Sequence, residues 1–194
     1  MQMEIKKNIE DSINVKRTLL SDSAFIERIE KSINTIVNTF ENGGKVLFCG
    51  NGGSAADAQH LAAELSGRFR IDRKPLYAEA LHVNTSYLTS VANDYSYDTV
   101  FERMVEAAGR KGDVLIAVST SGNSINICKA VQKAESIGMH TIALTGESGG
   151  KLKEISDILL NVPSCDTPRI QEAHIMIGHI ICEEVEKALF GNIQ

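Results

Sequence analysis

Residues 46–65 read VLFCGNGGSAADAQHLAAEL, an apolar run that passes through three glycines into an alanine-rich segment. This order is typical of a buried strand, a tight turn and a helix. Glycines in such a turn let a ligand approach the main-chain N–H groups, and the helix N-terminus attracts an anion or a hydroxyl. A turn with no ligand is the alternative, since Ser54 and Asp57 match the Ser/Thr-x-x-Asp/Glu pattern of a helix start.

Four more apolar runs follow the same plan, and each is succeeded by a helical pattern. The five runs cover 46–49, 76–80, 114–118, 141–144 and 158–162, and the last helical pattern extends from about 169 to 190. Strands that are apolar throughout and separated by helices indicate a parallel sheet covered on both faces. We therefore predict a doubly wound α/β fold, with residues 1–194 forming one domain. Ligands of such sheets bind beyond the carboxyl ends of the strands.

Two amphipathic helices are predicted before the first strand. Ile5, Ile9 and Ile13 recur at four-residue intervals, and a second apolar set runs from 25 to 40 after the break at 21–23. The second helix should end at Asn-Gly-Gly, residues 42–44.

Composition and charge exclude some classes of function. The net charge is -5, from 20 Lys and Arg against 25 Asp and Glu, and only 5% of the residues are aromatic. This balance argues against binding of nucleic acid or of an anionic membrane surface. The first twenty residues lack the apolar core of a signal peptide, no apolar run reaches about 18 residues, and the four cysteines form no metal or disulfide pattern. We expect a soluble protein of the reducing cytoplasm.

The loop VSTSGNS, residues 118–124, also follows an apolar run and opens a helix. It offers four hydroxyls, on Ser119, Thr120, Ser121 and Ser124, together with main-chain N–H groups. Several short donors that converge on three oxygens suit a phosphate monoester, so we interpret this loop as a phosphate site. Nucleotide binding by the loop at 50–54 is disfavoured, because it lacks both the Walker A ending and the G-x-G-x-x-G spacing.

Polar side chains at helical spacing form the second candidate group. His60 and Glu64 are four residues apart and project from one face of their helix. Gln171 and His179 are eight apart on the last helix, whereas His174 lies on a neighbouring stripe. Two histidines, a carboxylate and an amide oxygen could bind a divalent ion such as zinc, or act in acid/base catalysis. A solvated pair at 60 and 64, or a core histidine bonded to a carbonyl, remains an alternative.

Two further polar residues are ambiguous. Asn93 and Asp94 follow a helical pattern, and on local evidence they are interpreted as a plain turn.

Taken together, these motifs resemble one family. They comprise Asn51-Gly52-Gly53-Ser54, His60-x-x-x-Glu64, Asn93-Asp94, Ser119 to Ser124, and Arg169-Ile170-Gln171-Glu172-x-His174 with His179 beyond. Their order and spacing closely resemble the phosphoheptose isomerases among the sugar-isomerase (SIS) domain proteins, over nearly the whole chain. The resemblance implies a flavodoxin-like αβα sandwich and a cytoplasmic homotetramer, with the helices of residues 1–42 contributing contacts between subunits.

The resemblance also implies an activity and its residues. The activity is conversion of sedoheptulose 7-phosphate to D-glycero-D-manno-heptose 7-phosphate, which leads to ADP-heptose and bacterial surface polysaccharide. One zinc ion per subunit is implied, together with a set of substrate contacts. Its ligands would be His60, Glu64, Gln171 and His179, and the substrate contacts would be Asn51, Gly52, Gly53, Glu64, Asn93, Asp94, Ser119, Thr120, Ser121, Ser124 and Gln171.

Glu64 and His179 are our candidate catalytic residues. Moving a carbonyl from C2 to C1 requires a base that takes a proton from C1 and returns it to C2, and an acid that moves a proton between the oxygens. We hypothesise that Glu64 is the base and His179 the acid. Two rivals remain: a non-catalytic SIS protein, such as the replication regulator that binds the initiator DnaA, and an isomerase of a related sugar phosphate.

Overall fold

Five parallel strands form one sheet in the computed structural model, which describes residues 1–191. The strands are β1 (Val46–Gly50), β2 (Ala78–Ala80), β3 (Val114–Val118), β4 (His140–Thr145) and β5 (Ile158–Asn161). Their order is β2-β1-β3-β4-β5, so the direction of winding reverses between β1 and β3. Gly50 pairs with Val118 at the end of these two strands, and the loops that follow therefore emerge side by side. The predicted doubly wound sheet is confirmed.

Helices cover both faces of this sheet. They are α1 (Gln2–Ser21), α2 (Ser23–Glu41), α3 (Gly53–Ser66), α4 (Thr85–Asp94), α5 (Val100–Ala108), α6 (Ile125–Ile137), α7 (Leu152–Ile155) and α8 (Thr167–Phe190). Alternate residues of β1 point to opposite faces, as strand geometry requires. Phe48 packs with α2, α3 and α8, whereas Leu47 packs with α4, α5 and α6. Within residues 1–191, none of the helices has the length and apolar character needed to cross a bilayer.

The N-terminal helices differ in how they pack. The break between them is an N-cap, because the Asp22 side chain accepts the Phe25 N–H at 3.0 Å. Helix α2 packs into the core through Phe25, Ile29 and Ile36, whereas Leu19 is the one buried residue of α1.

The start of α3 differs from the predicted capping pattern. The helix begins at Gly53, Gly52 occupies the N-cap position with a φ of 57°, and no side chain caps it. The Gly52 carbonyl accepts the N–H groups of Ala55 and Ala56, so this glycine turn itself starts the helix. Ser54 is therefore buried inside the first turn and is not the cap.

Strand β2 is shorter than its apolar run. The Leu76 N–H donates to the Leu65 carbonyl at the end of α3, whereas the Tyr77 carbonyl accepts the Val46 N–H, so the first residue of the run bonds to a helix and the second is joined to β1 by one hydrogen bond.

Candidate functional site

Two glycines bring helices α3 and α8 into close contact. A Cβ atom at Gly178 of α8 would overlap the Leu61 side chain of α3 and lie 2.6 Å from Leu61 Cδ2. A Cβ atom at Gly53 would similarly lie 2.9 Å from Gln171 Cδ. Because neither glycine has a side chain, the polar faces of the two helices can approach each other.

His60, Glu64 and His179 converge where these faces meet. The His60 Nε2 atom lies 3.0 Å from His179 Nε2 and 3.2 Å from Glu64 Oε1. Ligand atoms of all three residues lie within 4.8 Å of one another. The structure thus brings together three of the four predicted metal ligands, and it places the fourth, Gln171, against Gly53 at the start of α3.

This geometry fits a metal ion. Tetrahedral zinc with Zn–N bonds of roughly 2.0–2.1 Å holds two nitrogens roughly 3.3 Å apart, close to the distance between the two Nε2 atoms. Both imidazoles direct the same ring nitrogen toward one point, and a carboxylate oxygen faces that point as well. His60, Glu64 and His179 could therefore hold a divalent cation.

The serine-rich loop follows β3 at the carboxyl edge of the sheet. Ser119 is buried, and its Oγ lies 3.1 Å from Ser124 Oγ, while the Ser121 Oγ accepts the Asn123 N–H at 3.1 Å. Gly122 has a φ of 65° and packs against the backbone of Gly149 so closely that a Cβ atom would overlap it. The loop is thus held in a tight turn at the carboxyl edge of the sheet, where its hydroxyls are available to an anion.

Helix α8 connects the serine-rich loop to the histidine cluster. Thr120 and Ser121 line a pocket with Thr167 and Ile170 from the first turn of α8. Gln171 follows Ile170, and His179 lies eight residues further along, about 12 Å at the helical rise of about 1.5 Å per residue. Helix α8 therefore runs from the hydroxyls of this loop to the cluster of His60, Glu64 and His179.

Comparison with known proteins places the chain in one family. The family model described as "SIS domain" matches residues 14–146. A phosphoheptose isomerase from Clostridium acetobutylicum is 56% identical over 98% of this chain and 97% of its own. The chain belongs to the SIS-domain phosphoheptose isomerase family.

Solved structures of the family share the fold over almost the whole chain. The phosphoheptose isomerase from Neisseria gonorrhoeae is 43% identical, with a TM-score of 0.90, covering 96% of this chain and 98% of that one. The phosphoheptose isomerase from Francisella tularensis is 39% identical, with a TM-score of 0.92 and the same coverage. This SIS-domain chain is thus a member of a family of isomerases that act on sugar phosphates.

Asn126 was not among the candidate residues of this SIS-domain chain, yet it is joined directly to one of them. Its buried amide exchanges two hydrogen bonds of 3.0 Å with the amide of Asn51, and its Oδ1 also accepts the Ile127 N–H. The Tyr97 hydroxyl donates to Asn51 Oδ1 at 3.0 Å. Asn51 is thus fixed by two residues that are distant in sequence, and the sequence pattern held no signal for either contact.

Substituting Asn126 with leucine is expected to lower the free energy of unfolding by about 1–3 kcal/mol. The leucine side chain has the same branching but is apolar and larger, and it leaves the Asn51 amide nitrogen and the Ile127 N–H without their acceptor. Urea unfolding followed by circular dichroism measures the loss. Tyr97→Phe is the graded control, since it removes one bond at an exposed side chain and should cost less than about 1 kcal/mol. A leucine variant as stable as the wild type would show that the pair does not hold Asn51.

Asn93 and Asp94 do not form the predicted turn. They are the last two residues of α4, and the Asn93 amide donates to Asp94 Oδ1 at 2.8 Å. Helix formation prevails because the Asn84 side chain caps the N-terminus through the Tyr87 N–H, and Val91 anchors the last turn in the core. Both polar side chains are exposed, so they are free to meet a ligand.

His174 belongs to the core of this isomerase fold and not to the polar cluster. It is fully buried, and its Nε2 lies 3.0 Å from the Thr145 carbonyl oxygen, as the alternative interpretation of a core histidine requires. Burial lowers the pKa of His174 to about 4, although the hydrogen bond to Thr145 acts in the opposite direction. The side chain is therefore neutral at physiological pH.

The low pKa of His174 predicts a loss of stability in mild acid. Its pKa falls from an ordinary 6.5 to about 4 on folding, so the unfolded chain binds the extra proton between these values. The contribution is complete above about pH 6.5 and is lost as the pH falls toward 4, about 2 kcal/mol between about pH 7 and pH 5. Urea unfolding of metal-free protein at both pH values measures this loss, and His174→Gln should show a correspondingly smaller one. Equal losses in both proteins would contradict the prediction.

Proposed function

We propose that this chain converts sedoheptulose 7-phosphate to D-glycero-D-manno-heptose 7-phosphate. The observation that carries the proposal is the convergence of His60, Glu64 and His179 on one point, on helices that lead to a hydroxyl-rich loop. Relatives 48–56% identical over most of the chain bear the name phosphoheptose isomerase, which supports a seven-carbon substrate. The product is a precursor of ADP-heptose and of bacterial surface polysaccharide.

The loops at the carboxyl edge of the sheet hold the substrate in this proposal. Ser119, Thr120, Ser121 and Ser124 bind the phosphate, and the fixed phosphate orients the opposite end of the sugar. The turn at 51–53, the Gln171 amide and the exposed pair Asn93 and Asp94 contact the sugar hydroxyls. No lysine is needed, because hydroxyls, main-chain N–H groups and the start of α6 supply the donors.

Glu64 and His179 perform the proton transfers. The Glu64 carboxylate takes a proton from C1 of the ketose, which gives an enediol, and returns it to C2. The Nδ1 atom of His179, the ring nitrogen not directed at the metal position, gives a proton to O2 and accepts one from O1, so that the carbonyl forms at C1 without net gain or loss of protons. His60 Nε2 lies 3.2 Å from Glu64 Oε1, and this contact holds the carboxylate beside His179.

The metal in this proposal is zinc, one ion per subunit. His60, Glu64, Gln171 and His179 would hold it, since this set of nitrogen and oxygen donors suits zinc. When bound, zinc supplies Lewis-acid character at the carbonyl oxygen and fixes the orientation of the four side chains. Metal analysis of the purified protein, with and without a chelator, tests this part independently of the isomerase activity.

A homotetramer in the cytoplasm completes the proposal. Ile5, Ile9 and Ile13 of α1 are 40–55% exposed, and this apolar stripe lines an open groove together with Arg169 and Glu172 of α8. A second copy of the chain would cover this stripe. The molar mass in solution, measured by light scattering, tests the oligomeric state.

The test of function is turnover of sedoheptulose 7-phosphate by metal-replete wild-type protein, followed by formation of the aldose. Fructose 6-phosphate serves as the six-carbon comparison. Faster conversion of the shorter sugar would favour the rival isomerase. Failure to convert any ketose phosphate, together with retained binding of the initiator DnaA, would favour the regulator.

A further inference from the structure

Arg73 is a buried cation in the segment that joins α3 to β2, outside the candidate site. Its guanidinium donates to four carbonyl oxygens, and its side chain has no exposed surface. The acceptors are Glu64 and Leu65 in the last turn of α3, and Gly67 and Lys74 in the following segment, at 2.9–3.1 Å. Carbonyls at a helix C-terminus lack partners within the helix, so Arg73 acts as the C-terminal cap of the helix that bears His60 and Glu64.

Glu186 of α8 is the partner of Arg73. Its Oε1 accepts the Arg73 Nε at 3.0 Å, and it is 1% exposed. Its carboxylate also accepts the N–H groups of Phe69, Arg70 and Ile71 at 2.6–2.9 Å. Burial alone raises the pKa of Glu186, but these three bonds and Arg73 bring it below its ordinary value. The carboxylate is thus ionised, and it holds the segment that follows α3 against α8.

Phe69 connects this arrangement to the polar cluster. Its ring lies against the imidazole of His179, with the ring centroids 5.7 Å apart. Glu186 and His179 are seven residues apart on α8, which places them on the same face two turns apart. Because the Glu186 carboxylate fixes the Phe69 backbone, it also positions the aromatic ring against which the His179 imidazole packs.

We infer that Arg73 and Glu186 are positioning residues that set helix α3, with His60 and Glu64, relative to His179 on α8. Neither touches the loops at 50–54 or 119–124 in the contacts described for residues 1–191. A buried ion pair is costly to desolvate even when it is hydrogen-bonded, and replacement by apolar side chains is often neutral or stabilising. The role of the ion pair is therefore geometric: it joins α3 and α8, and the distance between these helices defines the site. The inference rests on the proposed function only for its effect on turnover.

Arg73→Lys and Glu186→Gln test the inference, because each keeps the size of the side chain but breaks the network. Both variants should lower kcat for sedoheptulose 7-phosphate by about tenfold or more and weaken zinc binding about tenfold, with little change in KM. KM should keep its wild-type value because the proposed phosphate-binding loop, residues 118–124, is attached to other parts of the fold. Zinc affinity is measured by titration of metal-free protein against a chelator. Circular dichroism identifies the temperature at which every variant is folded.

Asp113→Asn provides the matched control for simple destabilisation. Asp113 forms a buried ion pair with Lys45 just before β1 and β3, and the hydrogen bonds described for its side chain go to Lys45 and Arg110, not to α3 or α8. This variant should lose stability but keep wild-type kcat and zinc affinity. Equal losses of kcat in Asp113→Asn and Arg73→Lys would overturn the inference.

Imidazole NMR of metal-free protein separates the inference from the proposed function. At one fixed alkaline pH, the ring resonances of His60 and His179 should move in Arg73→Lys and Glu186→Gln and stay in place in Asp113→Asn. Unmoved resonances would overturn the inference whatever the enzyme turns over. Moved resonances in a protein that does not convert the sugar would leave the positioning role in place and refute the proposed reaction.

Discussion

Substituting Glu64 with glutamine is expected to lower kcat for conversion of sedoheptulose 7-phosphate by about 10²- to 10⁴-fold. The amide has nearly the shape of the carboxylate and still presents an oxygen toward His60, but it cannot accept the proton from C1. KM should change little, since the proposed phosphate contacts lie on another loop. The rate of aldose formation measures the loss. Exchange of the C1 hydrogen with deuterated water should fall with it, because that exchange reports the proton transfer itself.

The same substitution on the other face of the sheet is the control. Glu106 of α5 forms an exposed ion pair with Lys133, so Glu106→Gln should keep the wild-type rate. A Glu64→Gln protein that retains C1 exchange at the wild-type rate would show that the base is another group. The zinc content of both variants identifies any part of the loss that arises from the metal.

The sheet could be predicted from the sequence because its central strands are buried on both faces. All five residues of β1 and of β3 are buried, so each strand is an uninterrupted apolar run that hydropathy alone identifies. The prediction was least accurate for the bounds of the edge strand β2, since part of its apolar run bonds to the end of α3. Strand bounds at an edge depend on which backbone partner is nearer, and this is a tertiary property.

The candidate site was predictable within a helix but not between helices. The separation of four residues places His60 and Glu64 on one face whatever the fold, and their contact at 3.2 Å follows. The 3.0 Å approach of His179 to His60 instead depends on how closely α8 packs on α3. Asn126 was missed for a related reason, because a buried amide that pairs with Asn51 has no periodic pattern. The resemblance to a family supplied the pairing of the two helices that local patterns could not.

Introducing an alanine at Gly178 is expected to cost about 1–3 kcal/mol of unfolding free energy and to lower turnover. The added methyl group would overlap the Leu61 side chain, and the apolar cavity beside Leu61 is only about 10 Å³, barely room for one water molecule. Leu61 therefore cannot retreat, and α8 must move away from α3. The separation of His179 from His60 would increase with it. Urea unfolding measures the stability, and the isomerase assay measures the effect on the site.

Leu61→Ala, made alone and together with Gly178→Ala, tests this prediction in a double-mutant cycle. Alone it should cost about 2–5 kcal/mol, because it leaves a cavity in the core. Combined with Gly178→Ala, the new methyl group occupies part of that cavity, so the double variant should be more stable than the sum of the two single losses by about 0.5–3 kcal/mol. Turnover should recover in parallel, since the helices can return to their original separation. Strictly additive losses would mean that the close contact at Gly178 does not set the distance between His60 and His179.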